Sequence, residues 1–499
     1  MNTYLYKTIF LLTVFFATVS CSDFLEVSQS DELPKDEVVT NVKEASAALN
    51  GIYTLMKSAS YYGCDLVTYG DVRGDDMGTM AAGDRTASQY TYGHTTSLTS
   101  TNAGSFWEYG YRMLGRCNSL LERINAGAVQ TSSDAEKAQL NDIKAQALTL
   151  RALLHFDLVR IYGEPYLKNK DAWGVIKADR VINKEEQLAR VSVKDIYSFM
   201  VSDLTDAIGT TEKPNLSEDK KNGYINLWAA KSLLAKIYLY MGEYKKSYDL
   251  AEDVINGGVY SLIAGSDYVR SWGEAFSSEA IFELYTSDVE NADRESIGYV
   301  LSPDGYAASG STQELFDLLN EDPKDYRLKL VTKKEGEDKK IRYFINKYPG
   351  REGNLYVNNP HIIRLSEVYL IAAEAGAYVN EANAKKYLDD LRKERRISTT
   401  ESPFVPTPES VSGGVLVDLV KVERRKELFG EGHRFFDITR DLGTKTMKRT
   451  GTPTFPLNND IYVKEIGWNN DYSYLLILPI PSEEKDNNAV IQQNEGYLN

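Results

Sequence analysis

A run of apolar residues at helical spacing, broken by a glycine and at once repeated, sets the strongest limit on how this chain can fold. Leu227, Ala230, Leu234, Ile237 and Met241 are spaced +3, +4, +3 and +4, which places them on one face of a helix. Gly242 stops that helix, because glycine takes the left-handed conformation that closes a last turn. A second stripe follows at Tyr244, Tyr248, Ala251 and Ile255 and ends near Gly257-Gly258. Two helices joined by so short a turn form an αα-hairpin.

The design recurs. Ile362, Leu365, Tyr369, Ala372 and Gly376 make one stripe, and Ala384, Tyr387 or Leu388, and Leu391 make the next, after Tyr378-Val379-Asn380. Residues 106–124 and 135–162 predict an earlier pair. Ser192 is the N-cap candidate of a helix over 192–209, with Ile196, Phe199, Leu204 and Ala207 mostly on one face. At 499 residues the chain is too long for one ordinary core, but a repeat array reaches this size because each unit needs only its neighbours. Leu234-Ala235-x-x-Tyr238 stands where a tetratricopeptide repeat has L-G-x-x-Y, and Gly242-Glu243-Tyr244 matches its turn, with Ser247 in place of the usual Ala. The expected fold is mainly α, a tetratricopeptide-like array over residues 38–499. Its helix pairs lie near 106–162, 192–257, 361–396 and 415–440. Long irregular insertions lie near 58–105, 261–360 and 443–482, with short strands at 280–285, 342–347 and 474–481. Long loops on a rigid scaffold are where function usually sits.

The first residues point to a compartment. In residues 1–20 one charge, Lys7, precedes the apolar run from Ile9 to Val19, which is too short to span a bilayer and suits a signal-peptide core. Thr18-Val19-Ser20 before Cys21 resembles a lipobox, so residues 1–20 are expected to be removed, Cys21 lipidated and residues 21–37 left as a tether. The alternative is an ordinary signal peptide cut elsewhere, with Cys21 free. No later run reaches 18 apolar residues.

Net charge is −15, and removal of Lys7 with the leader would make it −16. Such a surface repels nucleic acid and anionic headgroups, so neither is expected as a partner. Cys64 and Cys117 could pair in an oxidising compartment. No two of His94, His155, His361 and His433 lie at metal-ligand spacing, so no metal site is expected from them. The most tempting catalytic cluster runs from Glu423 to Arg440. Its glutamates at 423, 427 and 431 lie one turn apart, but Arg424, Arg434 and Arg440 at i,i+3 spacing would hold carboxylates ionised. A structural ion-pair network is the expectation there. Local nucleophile, P-loop and zinc-protease signatures are missing, so no catalysis is expected.

Several segments resemble the RagB/SusD family of nutrient-uptake outer-membrane lipoproteins, in the family's order. They are Arg151-Ala152-x-x-His155-Phe156-x-Leu158-Val159-x-x-Tyr162-Gly163-x-Pro165-Tyr166, then Leu365-x-Glu367-Val368-Tyr369-Leu370-Ile371-x-Ala373-Glu374-Ala375, and then Glu423-Arg424-Arg425-x-Glu427-Leu428-x-x-Glu431-Gly432-x-Arg434-x-x-Asp437-x-x-Arg440. Gln493-Asn494-x-Gly496-Tyr497 resembles the family's ending, while Asn488-Ala489 departs from an expected Asn-Pro. The resemblance implies four tetratricopeptide-like helix pairs in a SusD-like α/α superhelix. It also implies lipid anchorage in the outer membrane facing the exterior, and a partner, the SusC-type TonB-dependent transporter. Its usual ligands are oligosaccharides. A surface glycosidase, or a tetratricopeptide scaffold that binds peptide or protein, is the alternative.

Ligand contacts are expected from the insertions. Arg73, Asp75, Asp76 and Arg85 lie in the first; its carboxylates could hold a structural calcium ion, bond sugar hydroxyls, or stand as solvated charges. No other cofactor is expected. Tyr90, Tyr92 and His94 follow, and Tyr299 and Tyr306 flank Ser302-Pro303-Asp304-Gly305 in the second insertion. Sugar rings stack their C–H faces on such aromatic rings. The loops 70–94 and 290–310 are therefore expected to lie side by side. Trp107 and Trp228 are expected in the core; Trp272 could be core or ligand contact.

Overall fold

A computed structural model describes residues 39–80, 85–92, 103–183, 185–210, 213–396, 406–442, 447–449 and 464–497. The proposed leader, Cys21, the tether and His94 lie outside them. The helical array comprises α1 (Val42–Met56), α2 (Asp65–Val72), α3 (Ala103–Asn125), α4 (Asp134–Tyr162), α5 (Val193–Ile208), α6 (Leu227–Met241) and α7 (Tyr244–Asn256). It continues through the short α8 (Ile297–Leu301) to α9 (Leu365–Val379), α10 (Glu381–Glu394), α11 (Gly413–Leu428) and α12 (Arg434–Arg440). The successive pairs α3/α4, α6/α7 and α9/α10 pack against one another, with α7 against α9 joining two pairs.

The starts and stops follow local chemistry. Asn41, Ser133, Ser192 and Asn226 each accept an N–H two or three residues into the following helix, satisfying a donor that has no intrahelical partner. Gly242 ends α6 at φ 74°. Ser247, which replaces the repeat's usual Ala, is fully buried and its hydroxyl donates to the Ala235 carbonyl at 2.8 Å, so the substitution adds a bond between the paired helices.

A second, smaller core lies under the insertions. Val67, Val72, Met77, Trp272, Val300, Leu315 and Ile345 belong to it. It carries an antiparallel sheet in the order β1 (Met77–Thr79), β3 (Ser309–Ser311), β5 (Ile341–Ile345), β4 (Val331–Glu335). A separate pair joins β2 (Ala280–Glu283) to β6 (His361–Arg364).

Three expectations are corrected. Ile362 lies in β6, not on the first turn of a helix; α9 begins at Leu365. Residues 474–481 are not a paired strand: a 3-10 turn over Ser473–Leu476 leads into an extended run whose Leu478 N–H donates to Ile161 O at 2.8 Å. The described part of the first insertion carries α2, the strand Met77–Thr79 and a short helix over Ala87–Thr91, and it follows α1, a helix absent from the sequence reading. Cys64 and Cys117 are free, and they sit in different cores. Trp272 is a core residue, 7% exposed, as are Trp107 and Trp228.

The insertions are bolted to the array by buried charges. Asp75 pairs with Arg434 and Asp76 with Arg425, each at 2.5 Å. Glu427 on α11 receives Arg364 at 2.6 Å, Arg395 at 2.9 Å and Arg327 at 3.1 Å, and Glu431 receives Lys347 at 2.6 Å and Arg364 at 2.7 Å. Of the within-helix pairs that the spacing suggests, Asp437–Arg440 forms at 2.9 Å, whereas Arg424 turns to Asp437 and Arg434 to Asp75.

Candidate functional site

The two insertions meet through β1 and β3, where Met77, Gly78 and Thr79 pair with Ser311, Gly310 and Ser309. Met80 N–H donates to Ala308 O at 2.9 Å, and the Thr86 and Ser309 hydroxyls are 2.5 Å apart. Residues 70–80 and 85–92 of the first loop therefore lie beside the loop 290–310.

Beyond this seam the second insertion builds an outward face. Helix α8 buries Ile297, Val300 and Leu301 in the smaller core and leaves Tyr299 half-buried. The turn after it is fixed by Tyr306 N–H on Tyr299 O at 2.9 Å and Ala307 N–H on Ser302 O at 3.1 Å. A side chain on Gly305 would stand 2.0 Å from Tyr299 O, so only glycine lets the chain double back there. Two non-glycine residues with left-handed backbone, Asp293 (φ 48°) and Ala307 (φ 49°), border the face.

The result is an aromatic cluster. The rings of Tyr299 and Tyr306 meet edge to face at 5.0 Å, and Tyr356, from the loop before β6, lies 5.3 Å from Tyr299. Tyr306 is 40% exposed, and the other two are half-buried. Arg85, from the first insertion, covers the Tyr306 ring at 4.2 Å and forms an ion pair with Glu295. Arg294 bonds the Tyr356 side chain, which raises the guanidinium pKa further. Behind the pair lies Asp65: burial pushes its carboxyl up to about 7, Glu295 adds to the rise, and Arg85 opposes it. The face thus offers flat apolar rings edged by guanidinium donors and a carboxylate acceptor, which suits a ligand with an apolar face and a hydroxylated rim.

The sequence reading is corrected for several residues. Tyr90 and Tyr92 are each 1% exposed and belong to the cores, where Tyr92 bonds Arg73 O. Arg73 is fully buried among Tyr92, Phe435 and Tyr69 and donates to Leu475 O. Asp75 and Asp76 are not free loop charges: they pair with Arg434 and Arg425. Tyr299, Tyr306 and Arg85 come together. Tyr356, Arg294, Glu295 and Asp65 were not foreseen, although Tyr356 follows Gly353-Asn354-Leu355, the same kind of loop signal that singled out Tyr306.

The Glu423–Arg440 segment does not hold a general acid. Burial would push the Glu427 carboxyl up, but Arg395, Arg364 and Arg327 outweigh it and hold it well below the carboxylate range. Glu431, against the same burial, is brought to about 2 by Arg364 and Lys347. A proton donor in glycoside hydrolysis needs the opposite shift.

Comparison with known proteins places the chain. The model of the SusD family matches residues 332–497, and that of a family described as starch-binding, associating with the outer membrane, matches residues 23–239. SusD-like protein P2 of Formosa agariphila is 25% identical, over 99% of each chain. The crystal structure of a SusD superfamily protein from Bacteroides vulgatus is 32% identical, covers 92% of this chain and 100% of its own, and superposes with a TM-score of 0.82. A laminarin binding SusD-like protein shares the fold, with a TM-score of 0.69 at 23% identity over 92% of this chain and 100% of its own. The second of these family descriptions names binding of starch. The chain belongs to the SusD/RagB family.

Proposed function

We propose that this chain captures oligosaccharide at the outer membrane on the face made by Tyr299, Tyr306, Tyr356 and Arg85, and passes it to a SusC-type TonB-dependent transporter. The observation that carries the reading is the cluster itself: the Tyr306 and Tyr356 rings lie 5.0 and 5.3 Å from the Tyr299 ring, Tyr306 is 40% exposed, and Arg85 covers its ring. Family membership supports a glycan as the ligand, and the laminarin-binding relative makes a β-glucan the first one to try. A lipid on Cys21 would hold the body at the membrane, and the small residues before that cysteine support it.

The test is affinity electrophoresis of the purified chain in gels that contain laminarin or starch. Retardation that is lost in a Tyr299→Ala/Tyr306→Ala variant is the expected result. Retardation that the double variant keeps would move the ligand away from this face, and no retention by a broad panel of polysaccharides would remove the glycan reading.

A further inference from the structure

The tyrosine face carries more negative charge than its own cations balance. From Asp288 to Tyr306 the second insertion has five carboxylates, Asp288, Glu290, Asp293, Glu295 and Asp304, and one cation, Arg294. Lys57 pairs with Glu290 at 2.7 Å, Asn354 Nδ2 donates to Asp288 Oδ1 at 2.9 Å, and Arg85 pairs with Glu295. Arg294 is held at the Tyr356 side chain. Asp293 and Asp304, the latter in the turn that leads to Tyr306, are exposed and have no ion pair among the described residues.

Asp65 is a third such group. It comes from the first insertion, at the start of α2, is half-buried, and its carboxyl accepts no hydrogen bond among the described residues. Burial raises that carboxyl to about 7, Glu295 adds to the rise, and Arg85 opposes it only in part. Two carboxylates that share one guanidinium leave the face short of a cation.

The rings favour the same sign. An aromatic face attracts a cation through its quadrupole, and Arg85 already seats one on Tyr306 at 4.2 Å. Tyr299 and Tyr356 present two further half-buried rings, 5.3 Å apart and inclined at 54°. Carboxylates set around tilted aromatic rings suit an ammonium group on the ligand. The same carboxylates, on a chain of net charge −15, repel uronate and sulfate groups.

We infer that this face selects glycans carrying free, protonated amino groups over their N-acylated counterparts. The inference rests on the reading that glycan binds at these tyrosines and takes only the place from it; the sign of the charge comes from Asp65, Asp293 and Asp304.

The test is titration calorimetry of the full chain with glucosamine oligomers and with N-acetylglucosamine oligomers of the same length, at a pH that keeps the amines charged. The two probes differ only in ammonium against acetamide. The amine form should bind about tenfold more tightly, the sum of three exposed charge contacts, and high salt should remove most of that margin. Asp65→Asn/Asp293→Asn/Asp304→Asn should abolish the preference and leave both the melting temperature and the binding of the N-acetylated oligomers near wild type. Asparagine tolerates the left-handed backbone at position 293, and the change removes uncompensated charge. Should the triple variant melt early, Asp304→Asn alone, at an exposed turn position, must still reduce the preference. Equal or tighter binding of the N-acetylated oligomers, lost in Tyr299→Ala/Tyr306→Ala, overturns the inference and keeps the site. Binding of neither oligomer also overturns it, while retention in laminarin or starch gels would still uphold the glycan reading. A preference that the aspartate variants keep overturns it as well.

Discussion

The guanidinium of Arg85 lies 4.2 Å from the centre of the Tyr306 ring, although 221 residues separate the two in the chain. An exposed cation–π contact contributes only about 0.5–1 kcal/mol, which orients two side chains without fixing them. The pairing of β1 with β3 does the fixing. It brings the first insertion to the second, so that Arg85 and Glu295 both edge the ring.

Truncating the exposed rings should therefore affect binding and not folding. Tyr306→Ala and Tyr299→Ala are each expected to weaken glycan binding by about 1–3 kcal/mol, by analogy with base–aromatic stacking, or roughly 5- to 150-fold. Tyr306→Ala should leave the melting temperature nearly unchanged, because its ring is 40% exposed. Titration calorimetry with the retained glycan, run beside a thermal melt, decides the matter; intact affinity in both variants rejects the face.

Tyr92→Ala should behave in the opposite way. The ring is 1% exposed and stacked with Arg73 at 4.0 Å, so its loss leaves a cavity and exposes a buried guanidinium to poor solvation. A loss of about 3–5 kcal/mol is expected for removing a buried aromatic side chain. Chemical denaturation measures it, and a loss below about 1 kcal/mol would mean that Tyr92 is a surface residue after all.

The contrast between Tyr92 and Tyr306 marks how far the sequence could be read. The helix pairs were legible because an apolar stripe with a capping Asn or Ser and a terminal Gly is local information, as in Asn226, α6 and Gly242. Loop tyrosines carry no such signal: Tyr92 and Tyr306 both follow glycine-containing polar stretches, and only tertiary packing, which buries Tyr92 in the main core beside Phe435, decides which ring is covered. Ile362 was misread as helix because one apolar residue before Leu365 fits either period, and its strand partner, Phe282–Ile363 in register, is 81 residues away. The partners of Glu427 were out of reach for the same reason, since Arg364 and Arg327 approach from 63 and 100 residues away.

His155 should stay neutral well below its ordinary range. Its Nε2 accepts the Ala178 N–H at 3.1 Å, so the proton sits on Nδ1 and points to Arg151 O at 2.8 Å. Burial, chiefly, lowers its pKa from 6.5 to about 4. The folded state then resists a proton that the unfolded chain binds near pH 6.5. The contribution is complete above pH 6.5 and is lost as pH falls through 6.5 towards 4, by up to about 3 kcal/mol. The stability gap between wild type and His155→Gln should accordingly narrow from pH 7 to pH 5. A gap independent of pH, or an imidazole that titrates by NMR near pH 6.5, would refute this.

Cys21→Ala should release the protein from membranes. Lipidation at that cysteine is expected to supply the chains that stable anchoring requires. Fractionation of cells that lack the neighbouring transporter should move the variant to the soluble fraction. Unchanged membrane association there rejects the lipid anchor.

Glu427 separates structure from catalysis most sharply. It is fully buried and carries three guanidinium groups, and Arg364 is shared with Glu431. Glu427→Gln keeps the shape but removes the charge that balances those cations. Breaking a buried ion pair by removing one partner typically costs about 3–5 kcal/mol, because the remaining charge stays buried without compensation. The variant should therefore unfold at markedly lower denaturant, and Arg364→Met in the same background should recover part of the loss, since it removes a cation left in excess. Neither change should alter the release of reducing ends from laminarin or starch, because there is none to alter if both carboxylates are held ionised by arginine. A glycosidase role predicts the reverse: measurable turnover in wild type that Glu427→Gln abolishes while the denaturation midpoint stays in place.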